Sequence, residues 1–513
     1  MNYKLETMVS EIPISPKIFK ALAILIGIIF LSWTFLLPIG AGPSEGDQSV
    51  YAASIIRGHV LLALHQTSFI PTWQATVPQW VGAIGQAWAQ IVNQQSSGLN
   101  PNPNSYFNKS TSKSIVDFTN LAVLPPFYYA AIGLPSIVFS SLVGAFAMRI
   151  ATALICLAFL WGAIKILLYS KNKKIALMGF FLALSPEVYF LSSTINTTGI
   201  EVCSSILLWS ATGTICINKR DLELEIKLFK IWAIVAFFAA LARTLSPLWV
   251  FISAIYIVIA LGPKLIFKII KTSRVGFYFI MPLVASLATL LWDILRGSFP
   301  YEIGVYLTNS YHTYGFFTRF LISLTRTPLF YMQAFCYVRE SGFPILAAIW
   351  VALTALIVIL ATIKSDKSQK TILLIGMIFN IIIPAFFEAL KGATLGQWWY
   401  GDYSLPLYLQ SPIIAGVFLG ELSNSFNKTK DNIVSLLIGL IFAAALFAQL
   451  GILYYSVVSY MFGNGKSFNI FSNSSHWTGY PSGTLPFFIG LNLISTVIIL
   501  MALIKKIPNW NST

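Results

Sequence analysis

Long apolar runs broken by short polar punctuation dominate the chain. About 20 consecutive apolar residues cross a bilayer as a helix. On that criterion spans are predicted near 18–38, 142–165, 175–191, 199–217, 228–243, 246–262, 276–295, 344–363, 371–390, 404–420, 433–455 and 485–504. Two of these are short, and the pair around Arg243–Ser246 also reads as one re-entrant hairpin. The run Ile18 to Leu37 is too long for the apolar part of a secretory signal and is followed by no small-residue cleavage site. It reads as a retained first span.

The punctuation sets the topology. Lys171, Lys173 and Lys174 form one basic loop, and Lys219, Arg220, Lys227 and Lys230 another. Lys264, Lys268, Lys271 and Arg274 follow, then Lys364, Lys367 and Lys370, then Lys428 and Lys430, and finally Lys505 and Lys506. Alternating twelve spans puts all of them on the face that holds the N-terminus. The positive-inside rule makes that face cytoplasmic and places both termini there. The connections on the other side are long, 39–122, 296–343 and 456–484, with a compact turn at 391–403. They are rich in Trp, Tyr, Asn, Gly and Pro. Within the first, Trp73 to Val92 is predicted as an interfacial helix, and Asn93–Ser112 as a polar loop tip. Leu124-Pro-Pro-Phe-Tyr-Tyr129 and the apolar run to Phe139 read as a short interfacial or half-inserted helix.

Composition agrees with a lipid solvent. Of 513 residues, 57% are hydrophobic and 10% charged, against about 25% charged in soluble domains. The net charge of +15 does not signal a nucleic-acid partner, because the basic residues sit in short clusters between spans. The expected fold class is all-α: a polytopic integral membrane protein of about 12 transmembrane helices, a single domain over 1–513, in the cell membrane. Cys156, Cys203, Cys216 and Cys336 are scattered, which suits buried thiols rather than a disulfide or metal framework. No internal repeat stands out, which slightly disfavours transporters built from duplicated halves.

The polar residues that stand out fall at the outer ends. Pro38 to Asp47 places Glu45 and Asp47 on a Gly/Pro-rich turn directly after the first span. Such a pair serves as a base for an acceptor hydroxyl, binds a divalent cation, or is merely solvated. Arg149 lies two turns into the second span, and Glu187, Glu201, Arg243, Asp293 and Glu388 near outer ends. A charge at the bilayer centre costs on the order of 3 kcal/mol, so it persists where it pairs or lines a polar cavity. Arg149 and Arg243 suit an anionic group, since guanidinium matches phosphate bidentately; the competing reading pairs them with acids such as Glu201 or Glu187. Glu388 and Asp293 read as structural. His59, His65, His312 and His476 are all outer and form no ligand-spaced pair, so no metal site or cofactor is assigned. Asn-X-Ser/Thr triplets occur at Asn108, Asn196 and Asn473.

In the order of these residues the chain resembles the family called domain of unknown function 2142. The likeness runs through Pro43-Ser-Glu45, Ala52-Ala53, Arg57-Gly58, Pro125-Pro-Phe-Tyr-Tyr129 and Gly133-Leu-Pro135. It continues through Arg149, Leu184-Ser-Pro186, Asn196-Thr-Thr-Gly199-Ile-Glu201, Ala242-Arg243, Pro247-Leu-Trp249, and Gly401-Asp-Tyr403 before Leu405-Pro406. Two positions depart. The family often has Asp-Glu with a His three residues on, where this chain has Ser44-Glu45 and Gln48. Its Gly-Arg-Tyr is Gly401-Asp402-Tyr403 here.

The layout is similar to the GT-C class of membrane glycosyltransferases. That likeness implies transfer of a sugar from a polyprenyl-phosphate donor to a cell-envelope acceptor on the outer face. Under it, Glu45 or Asp47 takes the proton of the attacking hydroxyl, and Arg57, Arg149 and Arg243 stabilise the departing phosphate. Glu201, Asp402 and Tyr403 complete the expected substrate site, and membrane lipids are partners throughout. The alternative is a transporter or flippase of a lipid-linked or polar solute, which should carry its polar residues near the midplane. A non-catalytic envelope scaffold is the third reading.

Overall fold

Every one of the twelve predicted apolar segments is helical in the computed structural model, which describes residues 16–65, 72–97, 107, 112–217, 222–272, 275–296, 310–336, 344–422, 428–462 and 485–504. Six helices among the described residues are long and apolar enough to cross a membrane by themselves. The number is eight if each of two bent pairs counts as one span. The protein is an integral, multi-pass membrane protein. The bends follow from the sequence. Ser185-Pro186 separates Lys173–Ala183 from Pro186–Ser192 at 65°, because proline supplies no amide hydrogen and restricts the residue before it. Gly262, at φ 78°, turns Ser246–Leu261 into the basic stretch that starts at Pro263, bent away by 103°.

The helix Thr197–Ile217 stands at the centre. It packs against Ser141–Leu167, Leu222–Ala240, Ser246–Leu261 and Gln410–Leu422, and all but its last residue is buried. Small hydroxyl residues make this possible. Ser210, Thr212 and Thr214 each donate to the carbonyl four residues back, at 2.7–2.8 Å, so no polar group is stranded in an apolar surrounding. Nearby, Lys173–Ala183 and Gln410–Leu422 meet backbone to backbone, and a Cβ on Gly416 would lie 2.8 Å from the Cα of Gly179. Small residues at such a crossing allow the close van der Waals packing that holds membrane helices together.

The first long outer loop corrects two expectations. The fold is not all-α, since the loop contains a three-stranded antiparallel sheet in the order β1-β2-β3, with β1 at Ala63–His65, β2 at Thr72–Pro78 and β3 at Ser114–Thr119. The predicted helix from Trp73 begins only at Gln79 and runs to Ser97. The reason lies in the period. Trp73, Ala75 and Val77 point inward while Gln74 and Thr76 face out, an alternation that a helix cannot bury on one side. β2 pairs with β3 through Gln74↔Phe118 and Thr76↔Val116. The predicted loop tip Asn93–Ser112 lies largely outside the described residues, as do Asn108, Asn473, His476 and most of 456–484.

Two short helices, Phe127–Gly133 and Pro135–Val138, follow as expected after Pro125-Pro126. Ahead of the sheet, the helix Glu45–Ile56 crosses Gln79–Ser97 closely, and a Cβ on Gly46 would come within 2.5 Å of the Cα of Gly85. That crossing seats the acidic turn on the sheet-bearing cap. The bundle therefore has two distinct ends. One carries the basic loops, where Lys171 pairs with Glu421; the opposite end carries the cap and is called outer below.

Candidate functional site

Two polar clusters occupy the outer end. The first begins where the first span stops. Arg149, fully buried, donates to Glu45 from Nε at 2.6 Å and from Nη2 at 2.7 Å. Its remaining donors reach the carbonyls of Thr34 (3.1 Å), Leu37 (2.7 Å) and Pro38 (2.7 Å). A guanidinium has five N–H donors, so every one is used. The carboxylate is equally occupied, for the amides of Gly40 (2.9 Å), Gly42 (3.1 Å) and Ile195 (3.1 Å) also donate to it. The pair caps the carbonyls left open at a helix C-terminus and ties together the first span, the acidic turn, the second span and the turn before Thr197. It also holds Ser44 at φ 50°, a left-handed conformation that costs a non-glycine residue about 1 kcal/mol or more.

The second cluster is more open. Glu201 Oε1 accepts from Ser246 Oγ at 3.0 Å and from Trp249 Nε1 at 2.9 Å, while Oε2 lies 3.7 Å from Arg243 Nη1. Arg243 also donates from Nη1 to Thr198 Oγ1 at 2.7 Å and stands over the ring of Tyr403, 5.8 Å from its centroid. Its side chain is 18% exposed. Among the described residues its Nε–H and Nη2 groups make no hydrogen bond. Asp402 shares this space, within electrostatic reach of both Arg243 and Glu201, and its Oδ1 is buried without a hydrogen-bond partner among the described residues. Burial pushes its carboxyl up to about 6 despite the nearby Arg243.

Tyr129 bridges toward Asp47. Its hydroxyl donates to Gln48 Oε1 at 2.6 Å and lies 3.3 Å from Thr197 Oγ1, and the ring is within electrostatic reach of both Asp47 and Arg243. Gln48 Nε2 donates to Asn196 Oδ1 at 3.3 Å. Asp47 is only partly buried. Its Oδ1 accepts from the amide of Asn120 at 3.3 Å, and the other carboxylate oxygen is unpaired among the described residues. Burial raises this carboxyl to about 6, the Asn120 N–H opposing and the neighbouring Asp117 adding to the rise. Glu45, expected to share a divalent cation with Asp47, is instead taken up by Arg149. Among the described residues no group of three or more His, Cys, Asp and Glu side chains gathers as a metal site would.

The sequence-predicted residues thus divide. Glu45 joins Arg149, whereas Glu201, Arg243, Asp402 and Tyr403 come together, with Asp47 across Tyr129. Arg57 lies apart, its guanidinium donating to the Ala53 carbonyl and to Ser136, each at 2.8 Å. Glu388, read as structural, pairs with Arg326. Sequence reasoning noted Gln48 only as a departure from the family pattern and missed its role and those of Tyr129, Thr198 and Ser246. Tyr129 carried a signal, since it belongs to the Pro125–Tyr129 motif, but an aromatic at that depth reads first as an interfacial belt residue. The triplet at Asn196 is 1% exposed and engaged with Gln48, so its amide does not face a modifying enzyme.

Two solved structures of ArnT from Cupriavidus metallidurans are similar to this chain, one in the apo state at 11% identity and one bound to undecaprenyl phosphate at 12%. Each alignment has a TM-score of 0.43 and covers 95% of this chain and 76% of that one. No curated protein matches. Residues 25–411, which hold the acidic turn, the Arg149 latch and the Arg243 cluster, match the family described as predicted membrane protein (DUF2142), and the chain belongs to that family.

Proposed function

We propose that this protein is a membrane glycosyltransferase of about a dozen spans with both termini cytoplasmic, moving a sugar from a polyprenyl-phosphate donor to a cell-envelope acceptor at the outer face. The observation that carries this reading is the state of Arg243. Of the three arginines expected to bind phosphate, Arg149 has every donor used, and Arg57, partly open with Nε unused among the described residues, stands apart against Ser136. Arg243 is the one that is partly open within the cluster of Glu201, Asp402 and Tyr403. Glu201 and Thr198 hold its orientation, which leaves Nε and Nη2 for a phosphate, the planar pairing that guanidinium favours. As the bond between the anomeric carbon and the phosphate oxygen breaks, its electron pair leaves with the phosphate. Positive charge fixed there lowers the barrier most where negative charge develops.

Asp47 is the base in this scheme. The acceptor hydroxyl attacks the anomeric carbon and passes its proton to the free carboxylate oxygen. A carboxyl near 6 is ionised at neutral pH yet more basic than an ordinary aspartate, which suits a general base. Glu45 and Arg149, each saturated by the other and by backbone, serve as the frame, and Arg57 anchors Ser136 beside the half-inserted helices.

Asp47→Asn and Arg243→Met in the native host test this. Envelope glycan should fall at least about a hundredfold in each, the usual scale for loss of an acid–base or charge-stabilising group, with protein abundance unchanged. Wild-type glycan in both variants would overturn the proposal. So would sugar-lipid stranded on the cytoplasmic leaflet, the signature of a carrier.

A further inference from the structure

Next to Arg243, the turn Gly396–Tyr400 leaves the helix Lys367–Leu395 and gathers aromatic rings. Gly396 has φ 68°, a conformation open to glycine at little cost, and the reversal brings Trp398 and Trp399 beside Tyr403. Trp399 is explained by the fold. It is 1% exposed, stacks on Phe387 with centroids 5.8 Å apart, and donates from Nε1 to Ser404 Oγ at 2.7 Å. Trp398 is not. It stands edge-on to Trp399 at 5.1 Å and tilted by 40° against Tyr403 at 6.0 Å, only partly buried. Its indole N–H is buried with no acceptor among the described residues. Next to Tyr403 in the chain, Asp402 Oδ1 is buried with no donor among the described residues.

We infer that Trp398 and Asp402 form the seat of a sugar ring that carries no negative charge. This deepens the transfer reading above and rests on it, by naming which part of the Arg243 cluster holds the ring and what sugar class fits. Each open group asks for a different partner. A buried carboxylate oxygen without a donor is costly to leave unmet, as is an N–H without an acceptor. An aromatic edge left partly open asks for apolar contact beside polar groups, the usual make-up of a small-molecule site. A pyranose or furanose supplies all three at once: a C–H face for the indole, a hydroxyl to donate to Asp402, and an oxygen to accept from Nε1. Charge narrows the class. One guanidinium faces two carboxylates here, Glu201 and Asp402, so a uronate or sulfated ring would meet like charge. Neutral sugars and amino sugars would not.

Saturation-transfer NMR on the full chain in nanodiscs tests the seat, using methyl glucoside, methyl glucosaminide and methyl glucuronide as probes. The first two should show ring-proton saturation, and the glucuronide at least about ten times weaker binding. Trp398→Ala should weaken the glucoside about tenfold, equivalent to about 1.4 kcal/mol, and Trp398→Phe should restore most of it. Asp402→Asn should erase the discrimination against glucuronide. Unchanged glucoside binding in Trp398→Ala, equal binding of glucuronide by the wild type, or no saturation at all would overturn the inference. Should Trp398→Ala fail to fold, Trp398→Phe and Asp402→Asn still decide it. Turnover is not needed for this readout. Ring binding without any transfer in the wild type would sink the enzymatic reading and leave the seat standing.

Discussion

Removing the Glu45 carboxylate separates a frame from a catalyst. In Glu45→Ala, two of the five Arg149 donors and the amides of Gly40, Gly42 and Ile195 lose their acceptor. Both partners of the ion pair have fully buried side chains, so water cannot replace what is lost. Stranding one member of a buried pair costs about 3–5 kcal/mol, and each unmet amide about 1 kcal/mol or more. Because these groups share one acceptor their costs do not add, and about 5 kcal/mol is expected in total, a shift of more than a thousandfold in the folded ratio. Glu45→Gln, which keeps one acceptor oxygen, should lose about 3 kcal/mol. Adding Arg149→Met to Glu45→Gln removes the stranded charge, and the double variant should lose less than the two single losses combined. The assay is reversible unfolding in bicelles, combined with sugar transfer per folded molecule. Glu45→Gln should melt early and keep its activity when folded. A variant with wild-type stability and no transfer would place Glu45 in the chemistry and refute the frame.

Asp47 carries the opposite trade. Its folded carboxyl sits near 6, above the unfolded value of 3.8, so the folded state binds that proton more tightly. Its stability contribution is greatest below pH 4 and is lost as pH rises toward 6. Asp47→Asn removes that penalty and should stabilise the protein at pH 7 by on the order of 2 kcal/mol while abolishing transfer; an unaltered melting temperature would argue against a strained base. Transfer by the wild type should rise with pH to a half-maximum near 6, whereas a profile flat from pH 5 to 7 would exclude Asp47 as the base. Arg243→Lys keeps the charge but not the planar donor pair, and should lower kcat more than it raises KM if the phosphate is held most tightly as it departs. Gly416→Leu forces a side chain against the Gly179 backbone and should abolish folded protein through overpacking, measured as loss of detergent-extractable monomer.

Much of the fold was legible because lipid reads a chain one segment at a time. A helix in hydrocarbon must satisfy its backbone internally, so a run of apolar residues announces a helix whatever else surrounds it, and all twelve predicted segments are helical. The outer loop obeys no such rule. In water at the membrane surface, the stretch from Trp73 could fold either way, and the alternation of Trp73, Ala75 and Val77 with Gln74 and Thr76 was outweighed by its general apolarity. A strand there also needs a partner, and β3 lies about forty residues downstream, from Ser114 to Thr119.

Within the site, residue type and position along the chain determined which side chains mattered: charges at the outer ends of spans are costly enough to mark a polar purpose. They did not determine who pairs with whom. Glu45 and Asp47 are two residues apart and chemically alike, yet one meets an arginine 104 positions away and is locked, while the other accepts from the Asn120 amide and, among the described residues, keeps an oxygen to spare. Two helical steps separate their directions by about 200°, and only the packing of distant helices around that turn decides which direction is filled.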